Sequence, residues 1–205
     1  MTTAIQSLIE QRVSTNNFDA TRPLSDDQIG ELVRLATRAP SAFNFQNWKF
    51  VAVRTRQAKE RLKSVAYGQQ KVVDAAVTFI VCGTLAPHEG LAQALKPSVD
   101  AGILDQSVFD GWVDMAKGMY ADNAQFQRDE AIRSASLGAM TLMLAAQGMG
   151  LSTGPMIGFD PQGVIQQFGL GALDVPAILV TVGYPAPGNW PQKPRRPLKE
   201  VLVLA

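Results

Sequence analysis

Apolar residues recur at helical spacing from the start of the chain. Ile5, Leu8, Ile9 and Val13 fall on one face of a helix over roughly residues 3–13. Ser25-Asp26-Asp27-Gln28 has the form of a capping box, so a second helix starts there, with Ile29, Leu32, Val33 and Ala36 inward and Pro40 as its stop. The period then shortens. Trp48 to Val53 alternates weakly and reads as a strand, and a charged helix follows over about 57–66. Ala75 to Cys82 is a continuous apolar, β-branched run, the pattern of a central strand covered on both faces. Val175 to Val182 repeats it.

Between these strands lies the least regular stretch, 87–123, with helices expected near 89–95 and 105–120. Its Gly and Pro content suggests an excursion over the core, the kind of segment that lids a pocket. The helix expected over about 128–149 is apolar almost all round and demands burial on every side, part of it against a second subunit. Asp160-Pro161 caps a further short helix, and 154–158 reads as a Pro/Gly loop. The tail from Pro185 to Pro197, rich in Pro and basic residues, reads as an extended arm. One domain over 1–205 is expected, with a C-terminal arm over about 185–205 reaching the partner subunit.

Charge narrows the function. Nineteen basic residues against 18 acidic leave no surplus for displacing counterions from nucleic acid. No membrane span is expected, because polar residues interrupt the 131–150 stretch. The N-terminal residues lack a basic start followed by an apolar run, so no signal peptide is expected and a reducing cytoplasm is the default location.

The usual catalytic machinery is thin. Cys82 is the single cysteine, at the end of a buried strand, and reads as a structural thiol. His88 is the single histidine and reads as a surface residue. Gly150-Leu151-Ser152-Thr153-Gly154 matches the letters of a nucleophile elbow. A helix precedes it where a strand is needed, and His88 comes before the serine rather than after. No metal-ligand spacing is present. What remains is a set of cations, hydroxyls and amides in three segments. They are Arg12, Val13 and Ser14; Pro40, Ser41, Ala42 and Asn44; and Lys193 with Arg195. Singly, each cation reads as a solvated surface charge. Together they suit a phosphate, which wants forked cations and hydroxyl donors.

Four motifs in order resemble the FMN-dependent nitroreductase family: Arg12-x-Ser14-x-x-x-Phe18, the 39–48 segment, Gly150-Leu151 with 155–160, and Val182-Gly183-Tyr184-Pro185 followed by 193–198. The resemblance implies an α+β fold with a central, mostly antiparallel sheet wrapped by helices, in an intertwined homodimer. It implies FMN as cofactor and NAD(P)H as donor, with ping-pong hydride transfer through flavin N5 to nitroaromatic or quinone-type acceptors. An alternative keeps the same fold and flavin with another acceptor (an enal, a flavin) or with no NAD(P)H turnover. By position, Arg12, Ser14, Lys193 and Arg195 would hold the phosphate end. Pro40, Ser41, Ala42 and Asn44 would come from the partner subunit. Pro155, Met156, Ile157 and Gly158 would line the ring, and Gln69 would reach the pyrimidine edge. Asn16 stands where the family often has a cation, which implies a weaker pull on negative charge near N1 and O2. Asn47 replaces a common proline and Gly68 a frequent asparagine. Phe43, Phe45, Phe109, Trp112 and Phe126 are candidates for the acceptor pocket, with core packing as the plainer reading. No side-chain catalytic residue and no metal are expected.

Overall fold

The computed structural model describes residues 3–205. A four-stranded antiparallel sheet runs through it: β1 (Trp48–Val53), β2 (Val77–Thr84), β3 (Ser152–Met156) and β4 (Asp174–Gly183), in spatial order β1-β2-β4-β3. Among the described residues eight α-helices surround it: α1 (Ala4–Gln11), α2 (Asp26–Ala36), α3 (Arg56–Val65), the single turn α4 (Lys71–Asp74), α5 (Leu91–Asp100), α6 (Gln106–Tyr120), α7 (Ala124–Gly148) and α8 (Pro161–Phe168). The α+β class and the antiparallel sheet are as expected. No helix among the described residues is long and apolar enough to cross a membrane.

Strand periodicity builds two cores. Val77, Phe79 and Val81 of β2, with Val180 and Val182 of β4, pack beneath α2 and α7. Ile80, Cys82 and Leu179 point the other way, toward Leu62 and Ala66 near α3 and Val164 of α8. A third cluster joins Phe45 to Leu91 and Leu95 of α5 and to Ala116 and Tyr120 of α6. Local signals place the ends. Ser25 and Gln28 form the expected capping box on α2, and Thr3 with Gln6 forms another on α1. Asp160 caps α8, and Gly169 closes it in the left-handed region at φ 61°.

The structure departs from the sequence reading in two places. The 154–158 stretch is not a loop throughout, since its first three residues end the strand Ser152–Met156. Gly154 and Pro155 hide it, because neither favours a strand interior. Pro155 is tolerated because β3 ends the sheet, with β4 its strand partner on one side. Second, the one-turn α4 has too few residues to show a period. Within one chain α7 is covered on one side. Ala131, Ala135, Gly138, Leu142 and Ala146 are covered, whereas Arg133, Ser136, Leu137 and Met140 face outward.

Candidate functional site

Beyond α1 the chain turns extended at Arg12, and residues 14–15 lie along the outer edge of β3. Ser14 forms a parallel bridge with Thr153, and the Thr15 N–H donates to the Thr153 carbonyl at 2.9 Å. The approach is close enough that a Cβ on Gly154 would sit 2.4 Å from the Thr15 carbonyl oxygen. The segment from Arg12 to Asn16 therefore forms a ledge on the β3 edge.

The tail returns to this ledge. Asn189 Oδ1 accepts from the N–H groups of Asn16 and Asn17 at 2.8 and 2.9 Å, and Gln192 Nε2 donates to the Arg12 carbonyl at 3.1 Å. Arg195 donates to the Lys193 carbonyl at 2.7 Å and to Gln192 Oε1 at 2.9 Å, while the Lys193 ammonium lies 4.8 Å from the Trp190 ring centre. These contacts shape a cavity of about 120 Å³ lined by Ser14, Trp190, Gln192, Lys193 and Arg195, with no carboxylate among its lining residues. One guanidinium nitrogen of Arg12 is buried without a hydrogen-bond partner among the described residues. Ser14, Lys193 and Arg195 thus share one cavity through the tail's return, and Gln192 ties that cavity to the Arg12 backbone, 180 residues away in sequence. Asn189 and Gln192 do the gathering. Nothing in the sequence singled them out, since an isolated amide in a tail carries no pattern.

At the other end of the ledge, Asn16 meets Gln69, Gln70 and Lys71 around a cavity of about 270 Å³. Lys71 Nζ is 3.3 Å from Asn16 Oδ1. Partial burial pushes the Lys71 amine below the usual lysine range. A cation therefore stands at this end after all, supplied by α4 rather than by position 16. Gln69 Nε2 donates to the Gly158 carbonyl at 2.7 Å and to the Ala66 carbonyl at 3.2 Å, so its amide also fixes the turn after β3. Ile157 in that turn is 79% exposed. Tyr67, beside Gly158, is exposed and held at φ 52°, a backbone region that an aromatic side chain rarely adopts. Of the residues expected to line a ring, Pro155 and Met156 belong to β3, with Met156 buried and Pro155 partly so.

The Pro40–Phe45 segment is elsewhere. It leads through a 3-10 turn at Ala42–Asn44 into β1, the opposite edge of the sheet from β3. Three strand spacings of about 4.8 Å separate those edges. Phe43, Asn44 and Gln46 all take positive φ, and Ser41 Oγ accepts from the Gln46 N–H at 2.9 Å, which pins the turn. The five aromatic candidates come together here. Phe43 packs on Phe45 and edge-on to Trp112, Phe45 on Tyr120, and Tyr120 on Phe126, with Phe109 against the same cluster. Phe45 is buried within it, while Phe43, Phe109, Trp112 and Phe126 are half-buried.

Competing chemistries find no support. Ser152 opens a strand that follows α7, the reverse of an elbow. Cys82 is buried, and desolvation pushes its thiol up to about 12. Among the described residues no His, Cys, Asp and Glu cluster is arranged to hold a metal.

An antiparallel sheet under a long helix, with a cationic ledge on one edge strand, defines the class. The Nitroreductase family profile matches residues 9–184, and the chain belongs to that family. It is 35% identical to the Bacillus subtilis protein named "Putative NAD(P)H nitroreductase MhqN", over 94% of this chain and 95% of that one. It is 30% identical to a Thermus thermophilus protein named NADH dehydrogenase, over 88% and 86% of the two chains. Among solved structures, a putative nitroreductase in complex with FMN from Exiguobacterium sibiricum superposes with a TM-score of 0.91 at 26% identity, covering 99% of this chain and 98% of that one.

Proposed function

We propose that the protein is an FMN-dependent NAD(P)H oxidoreductase, active as a homodimer, that reduces planar electron-poor acceptors such as nitroaromatics or quinones. The observation that carries this reading is the ledge. One short segment offers cations and a hydroxyl at one end and amides with a single cation at the other, the donor set that a phosphate and a heteroaromatic edge require. The residues fit FMN. The partnerless buried nitrogen of Arg12 lacks an acceptor that a phosphate oxygen would supply.

When bound, FMN supplies the redox chemistry, accepting hydride from NAD(P)H and passing it to the acceptor. Arg12, Ser14, Lys193 and Arg195 hold the phosphate, and the Val13 backbone carries the ledge between them. Asn16 and Gln69 address the pyrimidine edge, and Lys71 offsets negative charge that gathers there. Pro155, Met156, Ile157 and Gly158 border the ring. Exposed Tyr67 and Ile157 offer apolar surface beside it.

A separation supports the dimer. Pro40, Ser41, Ala42 and Asn44 lie at the sheet edge opposite the ledge, so one chain holds two half-sites. A two-fold axis lets each chain lend its 40–45 segment to the partner's ledge. Phe43, Phe109, Trp112 and Phe126 then wall the acceptor space, with Phe45 supporting them from within.

The test is the visible spectrum of the purified protein, followed anaerobically as NADH and then NADPH is added. Bleaching of a flavin spectrum, with recovery on adding a quinone or nitroaromatic, is expected. Flavin that neither donor bleaches makes the chain a binding protein of the same fold. A colourless protein that cannot be reconstituted with FMN overturns the reading of the ledge.

A further inference from the structure

Away from the ledge, the loop 20–23, the end of β1, the first turn of α3 and the exit of α4 enclose a second cavity of about 270 Å³. Four of its lining residues are cations, Arg22, Arg54, Arg56 and Lys59, against one carboxylate, Asp74. The chain as a whole carries 19 basic and 18 acidic residues, so this is a local surplus. We infer that this cavity is a binding site for a phosphate group, independent of the FMN reading.

The state of each cation supports it. Lys59 is only 9% exposed, and its ammonium donates to the carbonyls of Val73, at 3.4 Å, and Ala75. Those are neutral acceptors. Among the described residues no carboxylate lies within ion-pair distance of it, and Asp74 offsets its buried positive charge only through space. Burial, with Arg56 close by, pushes its amine below the usual range. Arg22 lies 3.3 Å from the centre of the Tyr184 ring, and among the described residues its guanidinium has no hydrogen-bond acceptor. Stacking of that kind holds the fork in place while its N–H edges stay open.

Arg54 pairs with Asp26 and Arg56 with Glu60, at 3.1 Å for the latter. Both pairs are solvent-exposed and therefore weak, so an entering anion can compete for either guanidinium. Asp74, the one carboxylate in the lining, is engaged by Gln70 Nε2 at 2.7 Å. The first-turn N–H groups of Arg56 and Gln57 have no intrahelical acceptor and add the positive end of a ten-residue helix. A single carboxylate ligand would answer one of these charges, whereas a phosphate dianion answers two and accepts from several forks at once. The concave shape fits a small molecule or one phosphoryl group better than a broad acidic surface.

The experiment titrates FMN-loaded protein, freed of unbound FMN by gel filtration, with inorganic phosphate and with adenosine 2′-phosphate at fixed ionic strength. Binding is read by phosphorus NMR and calorimetry. Both ligands are expected to bind at the cavity. The double change Arg22→Ala/Arg56→Ala removes two charge-assisted contacts and weakens binding by about tenfold or more. Asp74→Asn tightens it. Lys96→Ala/Lys117→Ala, which removes the same charge from a remote exposed surface, leaves it unchanged. Tighter binding of the nucleotide identifies a nucleoside-borne phosphate, and equal binding identifies free phosphate. The readout is a loss tied to Arg22 and Arg56, so it holds whether or not FMN fills the ledge. No binding by wild type, or an equal loss in the remote double variant, overturns the site.

Discussion

Lys71 stands in a single helical turn with its ammonium 3.3 Å from the Asn16 amide oxygen, half-buried and without a carboxylate partner among the described residues. From sequence, Asn16 implied that the pyrimidine end of the cofactor lacks a cation. The folded chain supplies one from 55 residues away. Replacing Lys71 by Met keeps length and apolar bulk and deletes the charge. A hydrogen bond to a charged group contributes about 1.5–3 kcal/mol. For a two-electron couple, at about 30 mV per 1.4 kcal/mol, Lys71→Met should lower the potential of bound FMN by roughly 30–65 mV. Redox titration against reference dyes measures this, and an unchanged potential removes Lys71 from the site. Lys71 was not legible because a lone lysine in a polar segment looks like any solvated charge. Gln69 was legible as a candidate, but its amide also holds Gly158, a contact that only tertiary structure reveals.

At the scale of elements, α7 and β2 touch backbone to side-chain site. A Cβ built on Gly83 would sit 1.9 Å from the Ala131 carbonyl oxygen of α7, closer than any side chain allows. Gly83→Ala must therefore push helix and strand apart, in a core where overpacking costs about 1–3 kcal/mol and occasionally more. Urea unfolding should show at least the upper part of that loss, and a variant as stable as wild type would mean that α7 sits farther from the sheet. Most elements were readable, because their apolar periods are long and their caps are local. β1 matches its expected bounds of Trp48 to Val53, and α2 starts at its capping box. β3 was not readable, since Gly154 and Pro155 argue against a strand. It becomes one because β4 offers a ladder and residues 14–15 cover its outer edge.

For the whole molecule, the exposed side of α7 is where the proposed second copy would pack. Leu137 is 40% exposed and Met140 38% exposed in a single chain, and α1, which packs against α7, exposes Ile5 and Ile9. Leu137→Lys/Met140→Lys puts two charges on that face without touching either core. Light scattering should find a dimer for wild type and a monomer for the double variant, with helical circular dichroism intact and bound flavin lost. A monomeric wild type, or a variant that stays dimeric and yellow, would break the link between dimer and site.

The sequence by itself determined most of the helices and the two central strands, the near-neutral charge, the lack of classical nucleophile and metal spacings, and the motifs that place the chain in its family. These are local properties, carried by spacing and residue type. Tertiary structure alone decided which polar groups share a site. It folded the tail back so that Asn189 and Gln192 bring Lys193 and Arg195 to the ledge. It turned Lys71 toward Asn16 and sent the 40–45 segment to the far edge of the sheet. The physical reason is that strand order and long-range hydrogen bonds join residues up to 180 positions apart, and no period along the chain records such a pairing.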